Sequence, residues 1–260
     1  MKKELSTQEV VDQLHAIGVA AGDVLLVHTS FRAVRPVEGG PEGVIRALQE
    51  SVGPEGTLVT PAWTGSDEDV FDSRTTRAAE MLGVVPDTFW RMPGVRRSDH
   101  PFAFAAAGRH AALITGDPFV VPPYSPHSPL ARVHELDGRV LLIGVGHDAN
   151  TTVHLAEILA GVPYRVPKHI TIEFGRRPVR IDYLENDHCC QRFAFVDEWL
   201  RDRGLQSEGH VGHAHARLMR ARDVVSVVCE RLATDPLLFL HPPDARCEEC
   251  DEARASVRYN

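Results

Sequence analysis

No apolar run in this sequence approaches the ~18 residues that a membrane-crossing helix requires. The opening Met-Lys-Lys-Glu-Leu-Ser-Thr-Gln-Glu-Val also lacks the apolar centre of a secretory signal. Both absences point to a cytoplasmic protein with no membrane partner. Positive charge is short as well: 28 Lys and Arg stand against 36 Asp and Glu, a net −8. That balance speaks against nucleic acid as a partner, and it suits a polycationic ligand, because acidic clefts concentrate cations. The five cysteines are an odd number in a chain without a signal, which speaks against a disulfide framework as the organising device. Internal repeats, low-complexity runs and flexible linkers are missing too. The 260 residues are therefore read as a single domain, 1–260, with 185–260 as a helical C-terminal portion.

What is present alternates between strand and helix patterns. Ser6 and Glu9 have capping-box form and open a helix ending near Gly18. Val24 to His28 reads as a buried strand, and Val44, Ile45, Leu48 and Val52 repeat at helical spacing up to Gly53-Pro54. Thr57 to Ala62 is a second strand, 63–77 an acidic loop, and 84–91 a short helix. Phe102 to Ala107 forms a further strand. Pro118 to Pro129 holds five prolines in twelve residues and reads as a rigid surface loop. Val140 to Gly144 is the central strand and Thr151 to Ala160 the helix after it. Ile170–Phe174 and Pro178–Tyr183 alternate around Gly175, a hairpin signal. Helices are expected at 189–203 and 214–232. The class is α/β, a mixed central sheet flanked by helices.

The segment from Val140 to Glu157 carries the chemistry. An apolar strand ends in a glycine turn, and the next helix bears His154 and Glu157 three residues apart. That spacing puts both on one face, where the carboxylate can orient the imidazole as a general base. Asn150, Thr151 and Thr152 surround the helix N-terminus and read either as plain caps or as donors toward a developing oxyanion. Cys247 and Cys250 have metal-ligand spacing, and His188 with Cys190 could complete a closed structural zinc site pinning the C-terminal portion. Cys229 sits in an apolar helical pattern and reads as core.

The chain resembles the aminoglycoside 3-N-acetyltransferases, an antibiotic acetyltransferase family distinct from the GNAT superfamily. The resemblance rests on Leu25-Leu-Val-His-Thr-Ser-Phe-Arg32, Val37-Glu-Gly-Gly40, Gly53-Pro-Glu-Gly-Thr-Leu-Val-Thr-Pro61, Arg97-Ser-Asp-His-Pro101, Ser128-Pro-Leu130, Leu136 to Gly144 and the His154 segment. Tyr183 to Cys190 and the Cys247/Cys250 tail are similar to the apramycin-accepting type IV branch. The resemblance implies acetyl-CoA as donor and an aminoglycoside such as apramycin or gentamicin as acceptor, with antibiotic resistance as the outcome. It implies direct transfer with His154 as base, supported by Glu157 and Thr152.

Coenzyme A carries phosphates, so it needs cations and close backbone approach. Ser30, Phe31, Arg32, Arg35, Gly39 and Gly40 are the expected contacts, with Arg97, Ser98, Asn150 and Thr151 as a second donor set. His100 reads equally as a structural histidine. The ammonium groups of the acceptor call for carboxylates, and Glu185, Asp187 and Asp67 are the expected partners, with Trp63 or Tyr124 stacking on a sugar ring or merely packing. A Gly-x-Ser-x-Gly elbow and a GNAT pyrophosphate motif are both absent. The turn at Gly144-Val-Gly146 lacks a third glycine, since Ala149 stands there. Two other readings stay open: a zinc hydrolase using His154, Glu157 and His188, and a non-catalytic polycation binder. The oligomeric state is not set by sequence, and a homodimer is admitted.

Overall fold

The computed structural model describes residues 2–116 and 119–257. Pro118, the first residue of the expected proline-rich loop, lies outside the described residues. The elements in chain order are α1 (Thr7–Ala16), β1 (Val24–Thr29), α2 (Phe31–Val34), α3 (Gly40–Val52), β2 (Thr57–Pro61), α4 (Val84–Phe89), β3 (Arg96–Arg97), β4 (Phe104–Gly108), α5 (Ala111–Thr115) and α6 (Pro129–Glu135). They continue as β5 (Arg139–Ile143), α7 (Thr152–Ala160), β6 (Val166–Phe174), β7 (Arg177–Glu185), α8 (Phe195–Asp202), β8 (Gln206–Val211), β9 (Ala214–Arg220), α9 (Ala221–Thr234) and α10 (Glu248–Ser256).

Seven strands form one sheet in the order β3-β4-β2-β1-β5-β9-β8. β1 runs parallel to both β2 and β5, while β4 and β9 pair antiparallel on either side. The sheet is mixed, as expected, and its parallel centre is buried on both faces. Period-two alternation shows why. Leu25 and Val27 of β1 pack with Leu141 and Ile143 against α1, α3 and α4, through Val10, Leu14, Val44, Leu48 and Phe89. Val24 and Leu26 face the other way with Val140 and Leu142, against Leu130, Val153, Val224 and Val228 of α6, α7 and α9. Filling both faces with aliphatic side chains removes enough apolar area from water to hold the centre of the sheet rigid. The parallel strands β1 and β5 therefore present their C-terminal ends at a fixed position, where a ligand crevice is expected in such sheets.

Local signals act as the sequence implies. Ser6 Oγ accepts from Glu9 N while Glu9 returns a bond to Ser6 N, closing the capping box. β6 and β7 meet through Gly175 and Arg176, both at positive φ, the conformation a two-residue hairpin turn requires. That hairpin forms its own two-stranded sheet and stays outside the main one. The main sheet owes its mixed character to β4 and β9 instead.

The C-terminal portion is less helical than the sequence reading expects. Residues 214–220 are strand β9, paired with β8 in a hairpin that completes the sheet edge. Ala214, Ala216 and Leu218 face inward with period two. Small alanines and good helix formers mask that alternation in the sequence. The helix expected at 189–203 begins with a 3-10 turn over Cys190–Ala194, and α8 proper follows it. Among the described residues no helix is long and apolar enough to cross a membrane.

Candidate active site

The chain leaves β5 through Gly144, at φ 68°, where a Cβ would stand 2.5 Å from that of Ala33. Glycine there lets the β5 exit pack directly on α2. A 3-10 turn over His147–Ala149 follows, and Asn150 Oδ1 then accepts from Thr152 N. Asn150 is thus a cap for α7, and its amide also meets His147 Nδ1. This entry fixes the first turn of α7, which carries His154.

His154 and Glu157 form the pair that their spacing implies, with Nδ1 2.9 Å from Oε2. The carboxylate is wholly buried, and the imidazole shows 14 % of its surface. A buried carboxylate is costly unless donors surround it. Glu157 has four: His154, His188 Nε2 at 2.7 Å, Asn186 Nδ2 at 3.4 Å and the Tyr164 hydroxyl. Burial would raise its pKa, but His188 and His154 outweigh that and bring it down to about 2. His188 presents its other nitrogen to the Cys189 carbonyl at 2.8 Å. Both ring nitrogens of His188 are thereby engaged, which fixes the ring beneath Glu157.

With Nδ1–H committed to Glu157, the His154 lone pair falls on Nε2, which faces the cleft. Tyr124 stacks on the imidazole at 5.3 Å and 8°, and Phe193 meets it edge-on at 5.0 Å. Burial lowers the proton affinity of His154, yet Cys190 at one ring nitrogen and the Glu157 carboxylate at the other lift it well above the ordinary histidine range. The ring is fixed in plane, tautomer and charge preference together.

The cleft holds about 210 Å³ and is lined by His28, Trp63, Tyr124, Asn150, Thr151 and His154 among others. This is below the ~300–1,000 Å³ of a typical whole-ligand site. His28, at the end of β1, meets Thr151 Oγ1 at 3.3 Å and stays neutral, because burial, with His147 nearby, drops its pKa to about 3. The Thr29 hydroxyl, also in the cleft wall, is buried without a partner among the described residues. His28 and Thr29 do not stand out singly in the sequence. Their signal was a polar pair closing an otherwise aliphatic strand.

On the acceptor side, the base of the β6–β7 hairpin brings its carboxylates beside the cleft. Tyr124 feels the charges of Glu185, Cys190 and Asp187 together. Glu185 takes a hydrogen bond from Tyr183 at 3.1 Å, and burial, with Asp187 adding repulsion, raises it to about 7. Asp187 is ion-paired with Lys168. Asp67 interacts electrostatically with Tyr183, so all three expected acidic residues gather around this hairpin. Glu68 is engaged by His169 at 2.8 Å.

Other expected residues sit differently. Ser30, Phe31 and Arg32 follow β1 directly, with Ser30 N bonded to Ile143 O, and Arg32 and Arg35 are exposed. Gly39 and Gly40 take left-handed conformations at the start of α3, outside the cleft lining. Arg97 is scaffold: its guanidinium donates to the Ala62 and Thr76 carbonyls and lies over the Phe71 and Trp90 rings. Ser98 is buried and accepts from Phe104 N at 3.0 Å. His100 is likewise structural, bonded to Val120 O at 3.0 Å and stacked on Phe119. Thr152 is fully buried and outside the cleft lining, and among the described residues its hydroxyl has no hydrogen-bond partner.

The zinc expectation is not met by the donor geometry. His188 spends both nitrogens on Glu157 and Cys189 O, and Cys190 turns to His154 Nε2 at 3.4 Å. Cys247 and Cys250 neighbour Cys189 instead, whose thiol burial and Cys247 push upward. Among the described residues no three such donors converge to hold a metal ion. A His154/Glu157 zinc centre fails for a related reason, since the two donor atoms are bonded to each other.

Comparison with known proteins agrees with this geometry. The family described as aminoglycoside 3-N-acetyltransferase matches residues 26–233. Aminoglycoside N(3)-acetyltransferase IV of Salmonella sp is 59% identical over 244 residues, 94% of each chain. The crystal structure of aminoglycoside acetyltransferase AAC(3)-IVa, as an H154A mutant in complex with a gentamicin, superposes with a TM-score of 0.97 at 60% identity, covering 98% of this chain and 99% of that one. The same protein is solved with apramycin, at 58% identity, a TM-score of 0.91 and coverage of 96% and 100%. AAC-IIIb in binary complex with CoASH matches at 27% identity and a TM-score of 0.83, covering 89% and 97%.

Proposed function

The chain belongs to the aminoglycoside 3-N-acetyltransferase family, and from that premise we propose that it transfers acetyl from acetyl-CoA to the 3-amino group of apramycin- and gentamicin-type aminoglycosides, with His154 as general base. The observation that carries this reading is the His154 imidazole in the cleft wall, held at Nδ1 by the buried Glu157 at 2.9 Å so that Nε2 is left to act on a substrate once neutral. The structures of similar proteins with a gentamicin, apramycin and CoASH support the choice of substrates.

The chemistry follows from the geometry. The ammonium enters past Glu185, Asp187 and Asp67, whose charges favour a polycation. At Nε2 it gives up a proton, and the free amine attacks the thioester carbonyl. Glu157 stabilises the imidazolium that results, the logic of a triad without a protein acyl carrier. As the tetrahedral adduct collapses, its nitrogen loses a second proton to solvent and the imidazolium returns its own to the departing coenzyme A thiolate, leaving amide, free thiol and one released proton. The high proton affinity of His154 makes it a strong base once neutral, so turnover rises toward alkaline pH. At the end of β1, Ser30, Phe31, Arg32 and Arg35 would receive the donor, whose phosphates need exposed cations. Acetylation removes one positive charge and a donor group from the drug, and resistance follows from that loss. The domain is taken as one unit, 1–260, working in the cytoplasm.

The test is free coenzyme A release with acetyl-CoA and apramycin or gentamicin, before and after chelator treatment. Release that survives chelation and collapses in His154→Ala is expected. Loss of turnover on chelation, with the protein still folded, would favour a metal-dependent reading. No release from the unaltered enzyme with either drug would remove the substrate assignment.

A further inference from the structure

Cys190 is the one cysteine that the sequence places in a metal set and the structure places in the cleft. Its Sγ lies 3.4 Å from His154 Nε2, and it lines the cavity with His154, Tyr124 and Asn150. Thiol, imidazole and carboxylate thus stand in one chain, Cys190–His154–Glu157, with the carboxylate buried and the imidazole fixed by stacking. This is the arrangement that converts a thiol into a nucleophile: a base in reach and a third group orienting the base. The reaction proposed above gives this thiol no role.

We propose that Cys190 is a covalent modification site, reactive toward small cationic thiol-directed electrophiles that enter the aminoglycoside side of the cleft. The charge preference comes from the surroundings. Asp148 lines the same cavity, and Glu185 and Asp187 act on Tyr124 together with Cys190. Anionic reagents meet that acidic rim, whereas cations are drawn through it. The other cysteines are poorer targets. Burial pushes the thiols of Cys189, Cys229 and Cys250 upward, and Cys247 lies in the tail beside Cys189, away from the imidazole.

With 2-aminoethyl methanethiosulfonate the step balances simply. The Cys190 proton passes to His154 Nε2, and the thiolate attacks the sulfenyl sulfur. A new S–S bond forms, the S–SO₂ bond breaks, and methanesulfinate leaves. The adduct covers His154 Nε2, so transfer should stop and return on reduction with dithiothreitol. That loss of activity rests on the proposed role of His154; the labelling does not.

The experiment is time-resolved labelling of the full chain with the cationic reagent and with its 2-sulfonatoethyl counterpart, located by peptide mass mapping. Rates are normalised to a small free thiol. Cys190 is expected to react first, with the cation about tenfold faster than the anion, and bound apramycin should suppress both. His154→Ala and Glu157→Gln should each slow the labelling about tenfold, and Cys190→Ser should abolish it. First labelling at another cysteine, equal normalised rates for the two reagents, or an unchanged rate in both variants would overturn the proposal. Full labelling at Cys190 with turnover intact would uphold the reactive thiol and contradict His154 as the base.

Discussion

Glu157 and Asp187 are carboxylates beside the same cleft, yet they are built to opposite specifications. Glu157 is 0 % exposed and ringed by His154, His188, Tyr164 and Asn186. Asp187 is 40 % exposed and held by one lysine. The first cannot lose a partner without leaving charge stranded in a low-dielectric interior, so it fixes geometry. The second can exchange Lys168 for an incoming ammonium at little cost, so it can serve recognition. The proposed reaction thus places chemistry on the rigid wall of the cleft and selectivity on the adaptable one.

The contrast predicts an ordered series of effects. Replacing His154 with Ala should lower kcat/KM by ~10²–10⁴-fold, the usual share of a positioned base, while the circular dichroism spectrum stays unchanged. Glu157→Ala should cost about 3–5 kcal/mol in denaturant unfolding, because His154, His188, Tyr164 and Asn186 lose their shared buried partner. Asp187→Asn should leave the unfolding midpoint nearly unmoved, within ~1 kcal/mol, but raise the aminoglycoside KM about tenfold, ~1.4 kcal/mol. Equal effects of Glu157 and Asp187 on stability would break the comparison.

Acidity sharpens it further. The Glu157 pKa is depressed from 4.5 to about 2, so its stabilisation is fully present above the unfolded value and is lost as pH falls toward 2. Glu185 is shifted the other way, up to about 7. Its carboxylate is available to a cation only as pH rises through that value. Aminoglycoside KM should therefore fall several-fold between pH 6 and 8, on the order of one pKa unit of coupling, and Glu185→Gln should flatten the dependence.

Much of the rigid wall was legible in the sequence because its determinants are local. His154 and Glu157 are three residues apart on one helix, and Asn150 caps that helix from two residues before Thr152. The capping box at Ser6, the Gly175 turn and the aliphatic strands β1 and β5 are local in the same sense. The features read wrongly depend on long-range contacts. Arg97 looks like a phosphate ligand until the Ala62 and Thr76 carbonyls and the Trp90 ring are seen to claim it. Cys190 and His188 look like metal donors beside a Cys-x-x-Cys tail, yet they turn to His154 and Glu157. Strand β9 is hidden because alanines on its inner face carry little strand signal, and only pairing with β5 and β8 decides it.

At the heart of the proposed reaction is the raised basicity of His154 for amine deprotonation, to which Cys190 and the Glu157 carboxylate both contribute. Its most direct test is the pH dependence of kcat/KM for apramycin acetylation, compared between the unaltered enzyme and folded Glu157→Gln. An ascending limb that lies above the ordinary histidine range and moves to lower pH in the variant, with the rate reduced, is the predicted result. A limb that stays in place in Glu157→Gln would assign the titration to the substrate amine and contradict the account.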